Sequence, residues 1–236
     1  METNVSISAQ KRRSDFGTFQ MTARDLAILT WIGEQYAIRV DHLQVLAGRE
    51  ADHDLKEAGI LSEPGVRRLY NRWAKAGWIE KRKLLAHDPI WVWLSKRGIA
   101  ETGLDFPAHT PSVGRLAHMH AVNGVRLYVE NKLGTEAKWI SDRQVNIERK
   151  AEKKRHLVDG ELFYEETHIA LEVELTLKKR ARLDSILREL KRDYAAVWYF
   201  ATEECYNPLE NAIQAVPGHE ETFVLYRLSE VLGGNG

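Results

Sequence analysis

Cysteine, net charge and long apolar runs are the features that this sequence lacks. Cys205 is the only cysteine among 236 residues, which excludes an intrachain disulfide and a cysteine-based zinc site. The 34 basic and 34 acidic residues cancel, so no overall positive field indicates a nucleic-acid partner. No apolar run approaches the ~18 residues of a membrane helix, and no signal-peptide pattern precedes the first predicted helix. We therefore expect a globular cytoplasmic protein with no membrane partner.

The chain is long enough for one large or two small domains. Its 236 residues, of which 44% are hydrophobic and 29% charged, have the composition of an ordinary globular protein. Pro107 and Pro111 lie in a stretch that is typical of a linker. We predict a flexible lead-in over residues 1–20, one domain over 21–105, a linker over 106–113, a second domain over 114–232 and a flexible tail over 233–236.

The first domain has the pattern of three helices followed by a β-hairpin. Thr22 suits a helix N-cap, Pro64 suits the first turn of the third helix, and Gly77 suits its end. The predicted elements are a first helix with an apolar stripe of Leu26, Leu29, Trp31 and Ile32, a second helix Val40–Ala47, a polar loop over 51–63, a third helix from Pro64, a strand Ile90–Leu94 and a short helix Lys96–Thr102 capped by Ser95.

The third predicted helix is amphipathic and has a basic outer face. Val66, Leu69 and Trp73 recur at helical spacing and predict its buried side. Between Pro64 and Lys83 seven basic residues accompany one acidic residue, and this local charge of +6 is typical of phosphate contact. The candidate DNA-binding residues are Arg67, Arg68, Asn71, Arg72, Lys75, Lys81, Arg82 and Lys83.

Helix, helix, basic helix and hairpin is the element order of a winged helix-turn-helix. In that fold the third helix enters the major groove and the hairpin lies along the DNA backbone. Arginine reads guanine and asparagine reads adenine, so Arg67, Arg68 and Asn71 suit base contacts, as does Arg72. Two alternatives stay open: a basic helix face that is merely solvated, and a winged helix that binds another protein. We predict that this domain binds DNA.

The second domain has the pattern of an α/β sheet. A long amphipathic helix is predicted over Gly114–Leu133, and Ala196–Ala201 is a continuous apolar run that is typical of a central strand. His118 and His120 lie two residues apart on that helix and so point to different sides, which argues against a shared metal. The other predicted elements are strands at Trp139–Ile140 and around Val145–Ile147, two strands between 156 and 175, a charged helix Lys178–Tyr194, a helix Pro208–Val216 and a strand Thr222–Leu228.

Three acidic residues are predicted to meet on the two strands between residues 156 and 175. Side chains alternate along a strand, so Glu172 and Glu174 share one face while the apolar residues beside them take the other. If the two strands pair, Asp159 joins them, with Lys178 just beyond. Carboxylate oxygens in such a group suit a hard divalent cation such as Mg²⁺. The alternative is an antiparallel strand with one solvated, acidic face.

Two sets of motifs resemble known families. Asp159-Gly160, followed by Glu172-Val173-Glu174 and a basic helix, resembles the PD-(D/E)XK nuclease superfamily. A longer series resembles the replication-relaxation family of plasmid and mobile-element proteins. That series consists of His120, Asn123, Val125 and Arg126, then Trp139, then Asp159-Gly160, and then the run Glu172–Lys178. The resemblance implies an α+β protein with an N-terminal winged helix-turn-helix followed by a PD-(D/E)XK nuclease-like αβββαβ domain.

The resemblance also implies residue roles in the second domain. Asp159 and Glu172 would hold Mg²⁺ or Mn²⁺, and Glu174 would complete the metal site or position the attacking water. Lys178 would steady the phosphate. Glu130, near the end of the long helix, is expected to reach this site, as a helix acid does in some of these nucleases.

Two positions depart from the nuclease pattern. Glu174 stands where the superfamily usually has its lysine, and Val158 stands where it has a proline. Some restriction enzymes of the superfamily use a glutamate at the lysine position and still cleave. The departure therefore leaves cleavage open as a property of this chain.

Three functions follow as alternatives. The first is a DNA-binding protein of a plasmid or other mobile element that acts in replication, transfer or their regulation. In that case the nuclease-like domain serves as a platform or dimerisation unit. The second is an Mg²⁺-dependent DNA endonuclease, and the third is a protein–protein adaptor with no nucleic-acid role. Double-stranded DNA is the expected partner, with a homodimer and replication or transfer proteins left open.

Overall fold

The computed structural model describes residues 20–50, 59–149 and 156–233 and has a mixed α+β architecture. The predicted lead-in up to residue 19, the predicted tail from residue 234 and most of the predicted polar loop, residues 51–58, lie outside the described residues. Within the described ranges, none of the helices combines the length and the apolar character that a membrane span requires.

Residues 20–50 and 59–105 form what we call the N-terminal unit. Its core joins apolar side chains from all four of its helices to its sheet. The three strands pair antiparallel in the order β1–β3–β2. The elements are α1 Ala23–Glu34, β1 Ile38–Arg39, α2 Val40–Arg49, α3 Glu63–Ala76, β2 Ile79–Arg82, β3 Trp91–Leu94 and α4 Lys96–Thr102.

The ends of α1 and α3 follow from their capping residues. The Thr22 side chain accepts a hydrogen bond from the backbone of Asp25, whose own side chain accepts one from the backbone of Thr22. Ser62 caps α3, Pro64 lies in its first turn, and Gly77 ends it in the left-handed conformation at φ 76°. The predicted N-cap at Thr22 and the predicted helix end at Gly77 are confirmed.

Two details of the first two helices differ from the prediction. Leu26 is 41% exposed and is not part of the buried stripe, whereas Ile28 is. The second helix does not stop before Gly48 but continues to Arg49. A Cβ atom on Gly48 would lie 2.1 Å from the Gly59 carbonyl oxygen. This glycine therefore allows a close backbone approach rather than ending the helix.

Residues 113–149 and 156–233 form what we call the C-terminal unit. Its sheet has the order β4–β5–β6–β7–β8. The pairs β4–β5 and β5–β6 are antiparallel, and β6–β7 and β7–β8 are parallel. The elements are α5 Leu116–Leu133, β4 Lys138–Ser141, α6 Asp142–Glu148, β5 Gly160–Tyr164, β6 Thr167–Glu174, α7 Arg180–Asp193, β7 Ala196–Ala201, α8 Glu203–Gln214, β8 Phe223–Arg227 and α9 Leu228–Gly233.

Helices cover both faces of the five-stranded sheet. On one face, buried residues of α7 and α8 pack against Ala170, Val197 and Tyr199. On the other face, α5 and α9 pack against Leu171 and Phe200. Burial on both sides explains why β7 is an uninterrupted apolar run.

Two predictions for this unit are wrong, and one helix was not predicted. The segment Val145–Ile147 is not a strand but part of α6, because Ser141 accepts a hydrogen bond from the Gln144 backbone and starts a helix there. In so short a segment, apolar spacing does not separate strand from helix. The helix predicted from Pro208 begins at Glu203, which leaves the proline inside it. The short helix α9 after β8 was not predicted.

Candidate functional site

The acidic residues predicted for the nuclease-like domain line one cleft at the end of β6. Asp159 directly precedes β5, Glu172 and Glu174 lie at the carboxyl end of β6, and Lys178 follows before α7. The antiparallel register of β5 and β6 places Asp159 across from Glu172. All four side chains line a cleft of about 530 Å³. The structure therefore brings these four predicted site residues together.

Two histidines that the sequence reasoning did not assign to this site are bound to its carboxylates. One oxygen of Asp159 is 2.8 Å from His118 Nε2, and the other accepts a hydrogen bond of 2.8 Å from the Val173 backbone. Glu172 Oε1 is 2.9 Å from His156 Nε2. His118 lies on α5, and the alternation of side chains along β5 and β6 does not predict where that helix packs. The sequence held no signal for these contacts, because they depend on how α5 packs beside the sheet.

The buried carboxyl of Glu172 carries a strongly shifted pKa. Burial, with Glu172 only 3% exposed, raises its pKa to about 7, and the nearby charge of Asp159 acts in the same direction. Burial alone would lower the pKa of His156, but its hydrogen bond with Glu172 raises it. The hydrogen bond with Asp159 raises the pKa of His118. A cation bound in the cleft would therefore compete with the proton on Glu172.

Glu174 is engaged by Lys178. Glu174 is 4% exposed, and the Lys178 ammonium lies 2.5 Å from its carboxylate. Glu174 is therefore paired with a lysine, whereas the side-chain partners of Asp159 and Glu172 in the cleft are histidines. Asp159, Glu172 and Glu174 are too far apart to form a group whose ligand atoms all lie within 4.8 Å of one another. Within residues 20–50, 59–149 and 156–233, the group that meets this distance and could hold a metal ion is Asp41, His42 and His120.

The predicted DNA-binding residues, with one exception, lie on the exposed surface of α3 and the hairpin. The Lys81 ammonium contacts the Asn71 side-chain oxygen and also lies 4.6 Å from the centre of the Tyr70 ring. These contacts hold β2 against α3. The exposed residues of this basic face are Arg67, Arg68, Asn71, Lys75, Lys81, Arg82 and Lys83. The apolar side of α3 is buried as predicted.

Arg72 is the exception. Its guanidinium forms an ion pair with Asp25 of α1, which is fully buried. Asp25 also accepts a hydrogen bond of 2.7 Å from Trp73 Nε1. Burial acts to raise the pKa of Asp25, but hydrogen bonds from Thr22, Trp73 and Arg72 outweigh it and lower the pKa. Arg72 thus serves the packing of α3 on α1.

We expect Arg72→Ala to destabilise the protein and to leave DNA affinity nearly unchanged. The loss should be about 1–3 kcal/mol, because a buried carboxylate loses a charged partner that is itself partly exposed. Chemical denaturation near pH 7 measures it. The stabilisation by Asp25 is present above its unfolded pKa and is lost as the pH falls through the lower folded pKa. The difference in stability between the wild type and Arg72→Ala should therefore shrink in acid. An unchanged stability at pH 7 would contradict this assignment.

Glu130 does not reach the cleft, so that expectation is wrong. Its carboxylate accepts a hydrogen bond of 3.0 Å from Trp31 Nε1 and one of 2.6 Å from Arg126 Nε, and it pairs with Arg49. All of these contacts lie on the side of α5 that packs against the N-terminal unit. The charge of Glu130 is already balanced there by two arginines.

The helix acid that lies close to Asp159 is Asp142, at the start of α6, and not Glu130. Burial and the charge of Asp159 raise its pKa to about 6. The two residues line a small cavity of about 20 Å³, together with Tyr36 of the N-terminal unit. Tyr36 has a backbone φ of 66°, which is strained for a residue other than glycine. Asp142 was missed because it lies between the two strands predicted at Trp139–Ile140 and around Val145–Ile147, where the structure has the start of α6.

Three residues of the motif that carries the resemblance, His120, Asn123 and Arg126, make contacts between the two units. Asn123 Nδ2 donates a buried hydrogen bond of 2.8 Å to the Ala37 carbonyl. Arg126 pairs with Glu34 of α1 at 2.8 Å. His120 Nε2 lies 2.8 Å from Arg39 Nη2. His118, two residues from His120, faces the cleft instead, as the helical spacing predicted.

Comparisons with protein-family models, with curated proteins and with solved structures find no match for this chain. Function must therefore be inferred from the side chains and their contacts.

Proposed function

We propose that this chain is a DNA-binding protein whose helix α3 and hairpin β2–β3 contact a DNA duplex. The observation that carries the proposal is the exposed basic face made by the outer side of α3 together with β2. The positive charge on one helix and an adjoining hairpin is complementary to the negative phosphates of a duplex backbone. The acidic residues of the chain lie mainly elsewhere, so the face keeps its positive field although the net charge is zero.

The order of elements supports the same proposal. Three helices followed by an antiparallel hairpin is the order of a winged helix-turn-helix, in which the third helix enters the major groove. Arg67, Arg68 and Asn71 lie on the exposed side of α3, where such side chains read base edges. Arg82 and Lys83 lie on the hairpin, where phosphate contacts are expected.

The first test separates base contacts from phosphate contacts. Duplexes selected from a random library provide a cognate site, and fluorescence anisotropy measures affinity at several salt concentrations. Arg68→Ala should cost about 1–3 kcal/mol on the cognate site and relax its sequence preference, whereas Lys83→Ala should weaken binding equally on all duplexes and reduce the salt slope by about 1. Lys138→Ala, which removes an exposed lysine of β4, is the matched control and should change neither quantity.

Two outcomes would contradict the proposal in different ways. A wild-type protein with no measurable affinity for any duplex at low salt, where non-specific binding is strongest, would reject DNA binding and favour the protein–protein adaptor. Duplex binding that survives simultaneous removal of Arg67, Arg68 and Lys83 would instead reject α3 and the hairpin as the DNA-binding face.

We further propose that this protein serves the replication, transfer or regulation of a plasmid or other mobile element. The support is the motif resemblance to the replication-relaxation family. The order α5, then antiparallel β4–β5–β6, then α7 and the parallel strand β7 agrees with the αβββαβ order of a PD-(D/E)XK nuclease-like domain. In this proposal the C-terminal unit acts together with the DNA-binding unit on the same duplex.

A second candidate function is that of an Mg²⁺- or Mn²⁺-dependent DNA endonuclease. The observation that favours it is the cleft that gathers Asp159, Glu172, Glu174 and Lys178. The donor set fits a hard cation, because Asp159 and Glu172 offer carboxylate oxygens and burial disfavours the charged form of Glu172, which a cation beside it would stabilise. A bound cation would supply an activated water and offset charge on the phosphate. Asp159 and Glu172 would hold it, while Lys178 keeps Glu174 in place.

A further inference from the structure

We propose that Asp41, His42 and His120 form a binding site for a transition-metal dication of the Zn²⁺ class at the junction of the two units. Asp41 and His42 begin α2 of the N-terminal unit, and His120 lies on α5 of the C-terminal unit. One ligand atom from each residue lies within 4.8 Å of the other two. Two imidazoles and one carboxylate are the ligand types that Zn²⁺ takes when a water completes its shell.

Buried nitrogens without partners point to a ligand at this place. His42 is only 7% exposed, and its Nδ1 atom has no hydrogen-bond partner among the described residues. The Nδ1 atom of His120 is also buried and without a partner there. A buried polar atom without a partner is costly, and a metal ligand bond would remove that cost for His42.

The histidines are in a protonation state that suits a metal. An arginine can only donate, so the contact of 2.8 Å from Arg39 Nη2 makes His120 Nε2 an acceptor and the ring neutral. The rings of His42 and His120 stack with centroids 3.9 Å apart, which two charged imidazoliums would resist. Neutral imidazoles hold the lone pair that metal coordination needs.

Closing the site needs a small rearrangement. Lone pairs lie in the ring planes, and the two planes are only 13° apart, so one ring must turn about its Cβ–Cγ bond to face the same ion. Tetrahedral Zn²⁺ with Zn–N bonds of about 2.0 Å holds its ligand atoms about 3.3 Å apart, so an approach of about 1.5 Å suffices.

Arg39 competes with the metal for the same atoms. Its guanidinium donates to both carboxylate oxygens of Asp41, at 2.9 and 2.6 Å, and also contacts His120. In the absence of metal it neutralises Asp41 and caps His120. A dication would replace this single positive charge, and the Arg39 side chain, 24% exposed, is able to turn toward solvent. Metal binding and the Arg39–His120 contact therefore exclude each other.

The test is calorimetric titration of the full chain with Zn²⁺ after treatment with a chelator. All proteins carry Asp159→Asn, Glu172→Gln, His118→Ala and His156→Ala, so that neither these carboxylates nor the histidines of the cleft contribute. We expect one Zn²⁺ per chain, and His120→Ala and Asp41→Asn should each bind at least tenfold more weakly. Arg39→Gln should bind about tenfold more tightly, because it removes both a competitor and a like charge. His219→Ala, which removes a half-buried histidine outside this site, is the matched control and should bind as the parent does.

The result is interpretable even where a variant loses stability. Asp41 has a side chain that is 41% exposed, so Asp41→Asn leaves the core intact, and thermal unfolding verifies the fold of each protein. The proposal is overturned if the parent shows no saturable binding, if His120→Ala and Asp41→Asn bind as tightly as the parent, or if Arg39→Gln binds more weakly. None of these outcomes depends on DNA binding or on nuclease activity.

Discussion

Glu172→Gln is expected to lose about 10²-fold or more of the Mg²⁺-dependent nicking of supercoiled DNA that the endonuclease candidate predicts. The substitution keeps the size of the side chain but removes the carboxylate that, with Asp159, would hold the cation. Asp159→Ala should have the same effect, because Asp159 lies across from Glu172 at the head of the cleft. The double variant Asp159→Ala/Glu172→Gln should lose no more activity than either single variant, since each substitution alone disables the same site.

Conversion of supercoiled to open-circular plasmid, with Mg²⁺ or Mn²⁺, measures this activity. Its rate should rise with pH through about 7, because burial raises the pKa of Glu172 to about 7 and protons compete with the metal below that value. Glu166→Gln is the matched control, since Glu166 is an exposed glutamate in the turn between β5 and β6. Undiminished nicking by Glu172→Gln would reject the site. A wild-type protein that never nicks would reject the endonuclease and leave DNA binding untouched.

Arg126→Ala should be the most destabilising single change at the junction, by about 3–5 kcal/mol. Arg126 is 6% exposed and pairs with Glu34 and Glu130. Its guanidinium also lies 4.6 Å from the centre of the Trp31 ring and 5.7 Å from that of Trp139. Removing it takes the Arg126 partner from the partly buried carboxylate of Glu34 and leaves Glu130 with Arg49 as its remaining ion-pair partner.

Denaturant unfolding of Arg126→Ala and of Lys132→Ala makes the comparison. Lys132 lies on the exposed side of the same helix, so its loss should change stability by less than about 0.5 kcal/mol. A single unfolding transition for the wild type is expected, because the network joins both units. A cost below about 1 kcal/mol for Arg126→Ala would show that the network contributes little to the junction.

Features set by neighbouring residues were predictable from the sequence. The alternation of acidic and apolar residues in β6 predicted a two-sided strand, and the observed pairing brings Asp159 to Glu172 as expected. The cap at Thr22 and the end of α3 at Gly77 were also predictable, since each depends on one residue and its immediate neighbours. Local rules are sufficient for such features.

Features set by distant contacts were not predictable. Arg72 carries the same side chain as its exposed neighbours on α3, and only the position of α1 directs it to Asp25. Glu130 was expected at the cleft because it is acidic and near a helix end, yet the Arg49 and Arg126 side chains hold it on the other side. No periodicity in a single sequence records which helix will lie across a given side chain.

Helix α5 belongs to both halves of the molecule at once. Leu127 on this helix is buried in the N-terminal core, whereas Val125 and Val129 are buried against the five-stranded sheet. His118 on the same helix faces the acidic cleft. Recombination that replaced one half by the corresponding half of another protein would also have to supply the side of this helix that packs against it. We therefore expect the two halves to be inherited together and not exchanged as independent domains.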